Sequence, residues 1–274
     1  MIGFKSALAV LLSLGITVAS QNNIDILKSG VEKWNKWREE NPAVIPDLEK
    51  ADLRAANLGG ANLREATLKG ANLGGANLQG AFLGKANLHG AFLRRANLHR
   101  ADLVKAFLGE ANLHGADLRG AYLDRANLEK ANLGEANLER ANFGGAYLGG
   151  ANLHGADLRG ACLDKAYLRE ANLEKADLRG SDLQEANLAE VNLTGANFGG
   201  ADIGGAYLEQ TDLSKVKSFY KSTLDPEILS KIKAAWPEKL ATAWDETRKD
   251  WVVDKALLEQ IKKPDWHGWT EEEE

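Results

Sequence analysis

From Pro46 to Lys215 apolar and polar residues alternate on a fixed five-residue cycle, Ala-(Asn/Asp)-Leu-x-x, repeated 34 times without insertion or deletion. With the Leu position written i, that position is Leu in 31 units and Phe143, Phe198 or Ile203 in the rest, and i-2 is Ala in 30. Two apolar positions separated by one polar residue form the two-residue alternation of an extended strand with one buried face. Each unit is therefore predicted to be a very short strand. A helix fits poorly, because a five-residue step walks the Leu positions around a 3.6-residue cylinder. All 24 glycines of this region fall at i+1 or i+2, which assigns the corners of the chain to those positions. An unbroken short period predicts a solenoid growing along one axis, without a globular pocket.

The residues at i-1 point to a longer period. Phe82, Tyr122 and Cys162 share one phase of 20 residues, and Phe107, Tyr147, Tyr167 and Tyr207 share the next; only Phe92 falls elsewhere among the aromatics. The segment Ala111 to Ala126 recurs nearly intact as Ala151 to Ala166, a shift of 40 residues that suggests duplication.

These residues resemble the pentapeptide-repeat family over the whole of 46–215. The resemblance implies an all-β solenoid, a right-handed quadrilateral parallel β-helix with four units per coil, i-2 and i inward and the other three positions outward. On that basis the repeat makes about 8.5 coils and a rod about 40 Å long at roughly 4.8 Å per coil. Such a core is filled and leaves no lumen for a small-molecule substrate or cofactor. Larger residues at i-2 overpack, so Ser181, Val191 and Thr211 are expected to mark looser coils near one end.

The flanks read differently. Residues 1–20 carry Lys5, an apolar run from Ala7 to Val18 and the small pair Ala19-Ser20, the order of a secretory signal peptide cleaved after Ala19 or Ser20. The run is shorter than the ~20 residues of a permanent membrane helix. Export to a periplasm or thylakoid lumen is the reading this supports; the alternative is an uncleaved first helix of a cytoplasmic or N-terminally membrane-tethered protein. Residues 21–45 are expected to cap the first coil through a helix from Ile24 to Glu40 with Leu27, Val31 and Trp34 on one stripe. After Lys215 the phase fails at Ser218. The tail, 216–274, is expected to hold a helix from Pro226 to Ala235, N-capped by Asp225, and a second from Glu238 to Lys262 aligning Leu240, Trp244, Trp251, Leu258 and Ile261. All seven tryptophans lie outside the repeat, either as end caps or, at Trp244 and Trp251, as an interaction helix supporting a homodimer.

Composition narrows the function. Net charge is +1 over residues 1–45, -3 over 46–215 and -3 over 216–274, which sum to -5, a near-balance that predicts no nucleic-acid partner. Within the rod, Lys85, Arg94, Arg95, Arg100 and Lys105 form a basic band, whereas Asp182, Glu185, Glu190, Asp202, Glu209 and Asp212 make the last coils acidic. Cys162 is the only cysteine, so no intramolecular disulfide forms. His114 and His154 share a corner but stand roughly 10 Å apart, too far for one metal ion. No catalytic, metal or cofactor constellation emerges, and the reading is a non-enzymatic scaffold that presents a rigid surface to an unidentified protein partner. Its candidate contact is the outward aromatics Phe107, Tyr147, Tyr167 and Tyr207, with Phe82 and Tyr122 on the adjacent face. The resemblance also offers an alternative, the DNA-mimicking branch that occupies gyrase, which the 19 basic residues of the repeat and the export signal oppose.

Overall fold

The computed structural model describes residues 21–245, 250–263 and 266–269; the expected signal segment lies outside them. From Asp47 onward, parallel β-bridges join residues 20 apart, Asp47 to Thr67, Thr67 to Asn87 and so on to Asn187 with Tyr207, so four units close one turn of a square β-helix. Leu and Ala of every unit point inward, and from Ala61 to Leu178 all of them are at most 1% exposed. At about 1.5–3 kcal/mol for each fully buried Leu, this stack is the main favourable term in folding.

In a unit with Asn or Asp at i-1, every backbone donor has an assigned use. In the fifth and sixth coils, the i-1 N–H of Asn152 donates to Ala131 in the coil below at 2.9 Å, Leu133 donates to Asn152 in the coil above at 2.7 Å, and Glu135 donates to His154 at 2.9 Å. The i-2 N–H of Ala136 closes the corner on the Leu133 carbonyl at 3.1 Å. At i+1 the acceptor is a side chain: every Asn or Asp at i-1 from Asn62 to Asp212 accepts from the N–H two residues on. This is the Asx-turn, and it explains why the motif asks for Asn or Asp there. Asn side chains also bond along the rod, as in Asn152 to Asn132 at 3.2 Å and Asn192 to Asn172 at 3.0 Å.

The corners correct one expectation. Left-handed backbone is confined to i+2, where charged residues such as Arg125 (φ 53°) and Lys130 (φ 56°) adopt it as readily as glycines. Each non-glycine there costs about 1–2 kcal/mol, offset by the inter-coil hydrogen bond its N–H makes. Glycine at i+1 answers to space: a Cβ on Gly144 would lie 2.9 Å from Asp164 Oδ1.

Both ends are covered. The single helix expected from Ile24 to Glu40 is two, α1 (Gln21–Lys28) and α2 (Val31–Glu40), broken at Gly30, whose φ of 125° ends any helix. Helix α2 replaces a missing lower coil. Trp34 Nε1 donates to the Asn62 carbonyl at 2.9 Å, Asn35 exchanges hydrogen bonds with Gly60 and Asn62, and the buried Arg38 reaches the Val44 and Arg64 carbonyls.

At the other end the ladder continues past Lys215 with one extra residue. Ser218 bridges Asn197 and Thr223 bridges Asp202, each 21 residues apart. Phe219 takes the Leu position and stacks on Phe198 at 5.6 Å. Helix α3 (Pro226–Ala235) forms as expected, but Asp225 turns away from its N–H groups and accepts from Gly205 N–H at 3.1 Å. The long second helix does not form. In its place come α4 (Glu238–Ala241), a hairpin of β1 (Thr242–Asp245) and β2 (Asp250–Val253), and α5 (Lys255–Ile261). Thr242, Trp244, Trp251, Val252 and Val253 are β-branched or aromatic, which favours strands over helix. Asp254, whose side chain accepts from Leu257 N–H at 3.0 Å, marks the true helix start.

Ala136→Trp forces an indole into a sealed slot, and Leu138→Ala leaves a cavity costing about 2–5 kcal/mol. Thermal denaturation followed by circular dichroism is expected to fall by many degrees for both; an unchanged midpoint for either contradicts the inward assignment.

Candidate functional site

The rod has four outer faces. Face 1 carries the i-1 residues 47, 67 and onward to 207, face 2 begins at 52, face 3 at 57 and face 4 at 62. Face 1 holds Phe107, Tyr147, Tyr167 and Tyr207, all exposed, with Tyr207 the most so at 67%. Tyr147 and Tyr167 sit on consecutive coils and stack with centroids 5.0 Å apart and planes 6° from parallel. Phe107 and Tyr207 are each separated from that pair by one Asn, Asn127 and Asn187. Beside the stacked pair, Gly149 and Gly150 leave a bare corner between Glu129-Lys130 and Arg169-Glu170, an open groove of about 450 Å³.

Phe82 and Tyr122 are exposed on face 4, two coils apart, and do not meet. Phe82 is partly engaged by its own chain, because the Arg64 guanidinium lies 4.7 Å from its ring while bridging to Asp102 at 2.8 Å. Trp244 and Trp251 stand opposite each other in the hairpin register, and only their backbone is described. Trp34, Trp37, Trp236 and Trp266 pack against the core at the two ends. Of the outward aromatics on faces 1 and 4, only Tyr147 and Tyr167 come into ring contact with each other.

An aromatic at i-1 carries a local cost. It offers no acceptor to the i+1 N–H, so Gly109, Gly149, Arg169 and Glu209 lack the Asx-turn bond that Gly134 and Ala189 receive from Asn132 and Asn187. The i-1 composition showed these aromatics as exceptions, but this cost appears only once the hydrogen-bond pattern is known.

Charge is organised in pairs along face 3. Arg119, Arg159 and Arg179 fold back bidentately on Asp117, Asp157 and Asp177, with Nη2–Oδ2 distances of 2.6 Å. The hydrogen bond from Arg119 holds the Asp117 carboxyl below the usual range, and Arg54 draws exposed Asp52 down to about 2. For Asp157, burial pushes upward but hydrogen bonds from Arg159 outweigh it. Burial, with a hydrogen bond to Asp164, raises the Cys162 thiol to about 11, so it is a poor nucleophile at neutral pH. Asp102, the one acid within the basic band, is taken by Arg64, and among the described residues Arg94, Arg95, Arg100 and Lys105 have no carboxylate within ion-pair distance. Also among these residues, no group of three or more His, Cys, Asp or Glu is arranged to hold a metal, and no helix is long and apolar enough to cross a membrane.

The model of the family described as pentapeptide repeats matches eight copies between residues 47 and 217. The chain belongs to the pentapeptide-repeat family. Its β-helix is therefore right-handed. Among solved structures, the chain is similar to HetL, a pentapeptide repeat protein involved in heterocyst differentiation regulation from the cyanobacterium Nostoc sp. strain PCC 7120, at 34% identity over 63% of this chain and 89% of that one, TM-score 0.44. It is also similar to QnrB1, a plasmid-mediated fluoroquinolone resistance protein, at 19% identity over 69% and 92% of the two chains, TM-score 0.57. A pentapeptide repeat protein from the Arabidopsis thaliana thylakoid lumen matches at 28% identity over 53% and 88%, TM-score 0.23. No curated protein matches. Pentapeptide repeat proteins are generally structural or interaction proteins without enzymatic activity.

The depressed carboxylates set an acid limit. A group with a lowered folded pKa contributes stability that is complete above its unfolded value, near ~3.9, and is lost as pH falls through the folded value. The melting temperature is expected to be flat from about pH 7 to about pH 5 and to fall between about pH 4 and about pH 2. The Asp117→Asn, Asp157→Asn double variant should lose part of that acid-dependent drop; a profile identical to wild type would show that the ladder contributes nothing.

Proposed function

We propose that this chain is a non-enzymatic scaffold whose face 1, through Phe107, Tyr147, Tyr167 and Tyr207, binds a protein partner. The observation that carries the reading is that each of these residues exposes a ring and forgoes an Asx-turn bond worth about 0.5–1.5 kcal/mol. Coil stability alone would favour Asn there. Rigid aromatics on a flat surface lose little conformational entropy on contact and supply large apolar area, the features of binding hot spots. Phe82 and Tyr122 on face 4 form a secondary patch, and the hairpin bearing Trp244 and Trp251 is a further candidate contact. Export to a periplasm or thylakoid lumen, motivated by residues 1–20, would define the pool of partners.

The gyrase-directed alternative has the fold in common with QnrB1 and little else on which to rest. At 19% identity that likeness concerns architecture. In the acidic upper coils, Glu190 pairs with Arg169 at 2.6 Å and Glu185 with Lys165 at 3.9 Å, which weakens any DNA-like field.

The Tyr147→Asn, Tyr167→Asn double variant restores acceptors for Gly149 and Arg169 N–H. Its melting temperature should stay level or rise by a few degrees, while affinity capture of a partner from lysate should be lost. Retained capture removes face 1 from the proposal.

A further inference from the structure

Read along the rod, the outer residues of face 1 show the same pattern of aromatics and Asn from either end, Phe107, Asn127, Tyr147, Tyr167, Asn187, Tyr207, with Phe and Tyr as counterparts at the two ends. The centre of this palindrome lies between the stacked tyrosines. Both flanking corners change character across the same centre. On the coil just below it they are bare glycine pairs, Gly144-Gly145 and Gly149-Gly150; on the coil just above they are charged ridges, Asp164-Lys165 and Arg169-Glu170. One coil further out, Arg125 and Lys130 below stand as far from the centre as Glu185 and Glu190 above. Among the described residues, neither Arg125 nor Lys130 has a carboxylate within ion-pair distance.

A flat surface of this kind matches itself when turned end over end. A twofold axis lying in the face, perpendicular to the rod and passing through the centre, returns each corner to the same corner of a second copy and reverses the order of the coils. Ridge then meets notch, with the Arg169-Glu170 corner of one copy seated at Gly149-Gly150 of the other. Cation meets acid at Arg125 with Glu185 and at Lys130 with Glu190, two acids that within their own chain already lie 3.9 Å from Lys165 and 2.6 Å from Arg169 and would be shared between the two cations. A parallel arrangement, with the axis along the rod, sets Arg125 against Lys130 and Glu185 against Glu190, like charge on like charge. The charge pattern therefore selects the antiparallel form.

We propose that face 1 is the interface of an antiparallel, side-by-side homodimer of this chain, with its dyad between Tyr147 and Tyr167. This rests on the reading of face 1 as a contact surface and identifies the partner as a second copy. The six coils span about 24 Å at roughly 4.8 Å per step, and a side of five extended residues is at most about 16 Å wide, so the face covers no more than about 400 Å² on each copy. A total of about 800 Å² lies below the ~1,000 Å² expected of a stable specific interface, so the association is weak and reversible.

Sedimentation equilibrium of the purified chain from about 1 to about 200 µM should give an average mass rising from one chain toward two. Arg125→Glu and Glu185→Arg should each weaken association at least ~10-fold with unchanged melting curves, and the double swap, which exchanges both charges across the dyad, should recover it to within ~3-fold. In a Cys162→Ser background, Asn127→Cys with Asn187→Cys should be joined into covalent dimers by a short bismaleimide, whose span suits faces packed about 10 Å apart, while Asn127→Cys alone should not. A monomer at every concentration, a double swap that does not recover, or cross-linking by Asn127→Cys alone overturns the proposal. If the chain stays monomeric and the tyrosine double variant still loses a different captured protein, face 1 remains a contact surface and only the second copy is rejected.

Discussion

The structure depends on one constraint: Leu and Ala side chains of successive coils must stack at a spacing set by inter-coil hydrogen bonds. That spacing fixes the volume available to each inward residue, so the repeat can vary little at i and i-2. It also explains the invariance of the period. A single extra residue displaces every inward side chain beyond it, and the chain tolerates this only near Val216 and Lys217, where the rod is about to end and Phe219 can take the vacated slot.

Because the core is satisfied by two positions in five, the other three are free to carry information. At i-1 the default is Asn or Asp, which closes the Asx-turn and, in places, joins a ladder along the rod. Departures from that default are costly to the coil, and the aromatics of face 1 are such departures. At i+1 and i+2 the charged residues lie over corners where their aliphatic stems rest on the coil above; Arg125 Cγ, for example, lies 3.7 Å from where a Cβ on Gly145 would stand. The result is a surface whose relief and charge are written residue by residue onto a nearly uniform lattice.

The lattice was legible in the sequence because a short-range rule, the five-residue alternation, decides it. The inward assignment and the outward aromatics follow from that rule, whereas the 20-residue coil was implied by the family resemblance and hinted at by the phase of the i-1 substitutions. The ends were less so. The break at Gly30 and the hairpin around Trp244 and Trp251 depend on how short segments dock on an exposed coil, and helical spacing of Leu240, Trp244 and Trp251 competed with their β-branched and aromatic neighbours. The role of Asp225 was missed for a similar reason: an acid before Pro226 reads as a helix cap, but the uncapped Gly205 N–H of the last coil reached it first. Of the candidate site, the positions were readable; the stacking of Tyr147 on Tyr167 and the unmatched N–H groups behind the aromatics required the three-dimensional register.

Residue-resolved amide hydrogen exchange tests the central claim most directly. The account predicts slow exchange at i-1, i and i+2 throughout the rod, and at i+1 slow exchange behind Asn, as at Gly134 and Ala189, but fast exchange behind tyrosine, at Gly149 and Arg169. Protection that ignores the five-residue phase, or equal protection at Gly149 and Gly134, would contradict it.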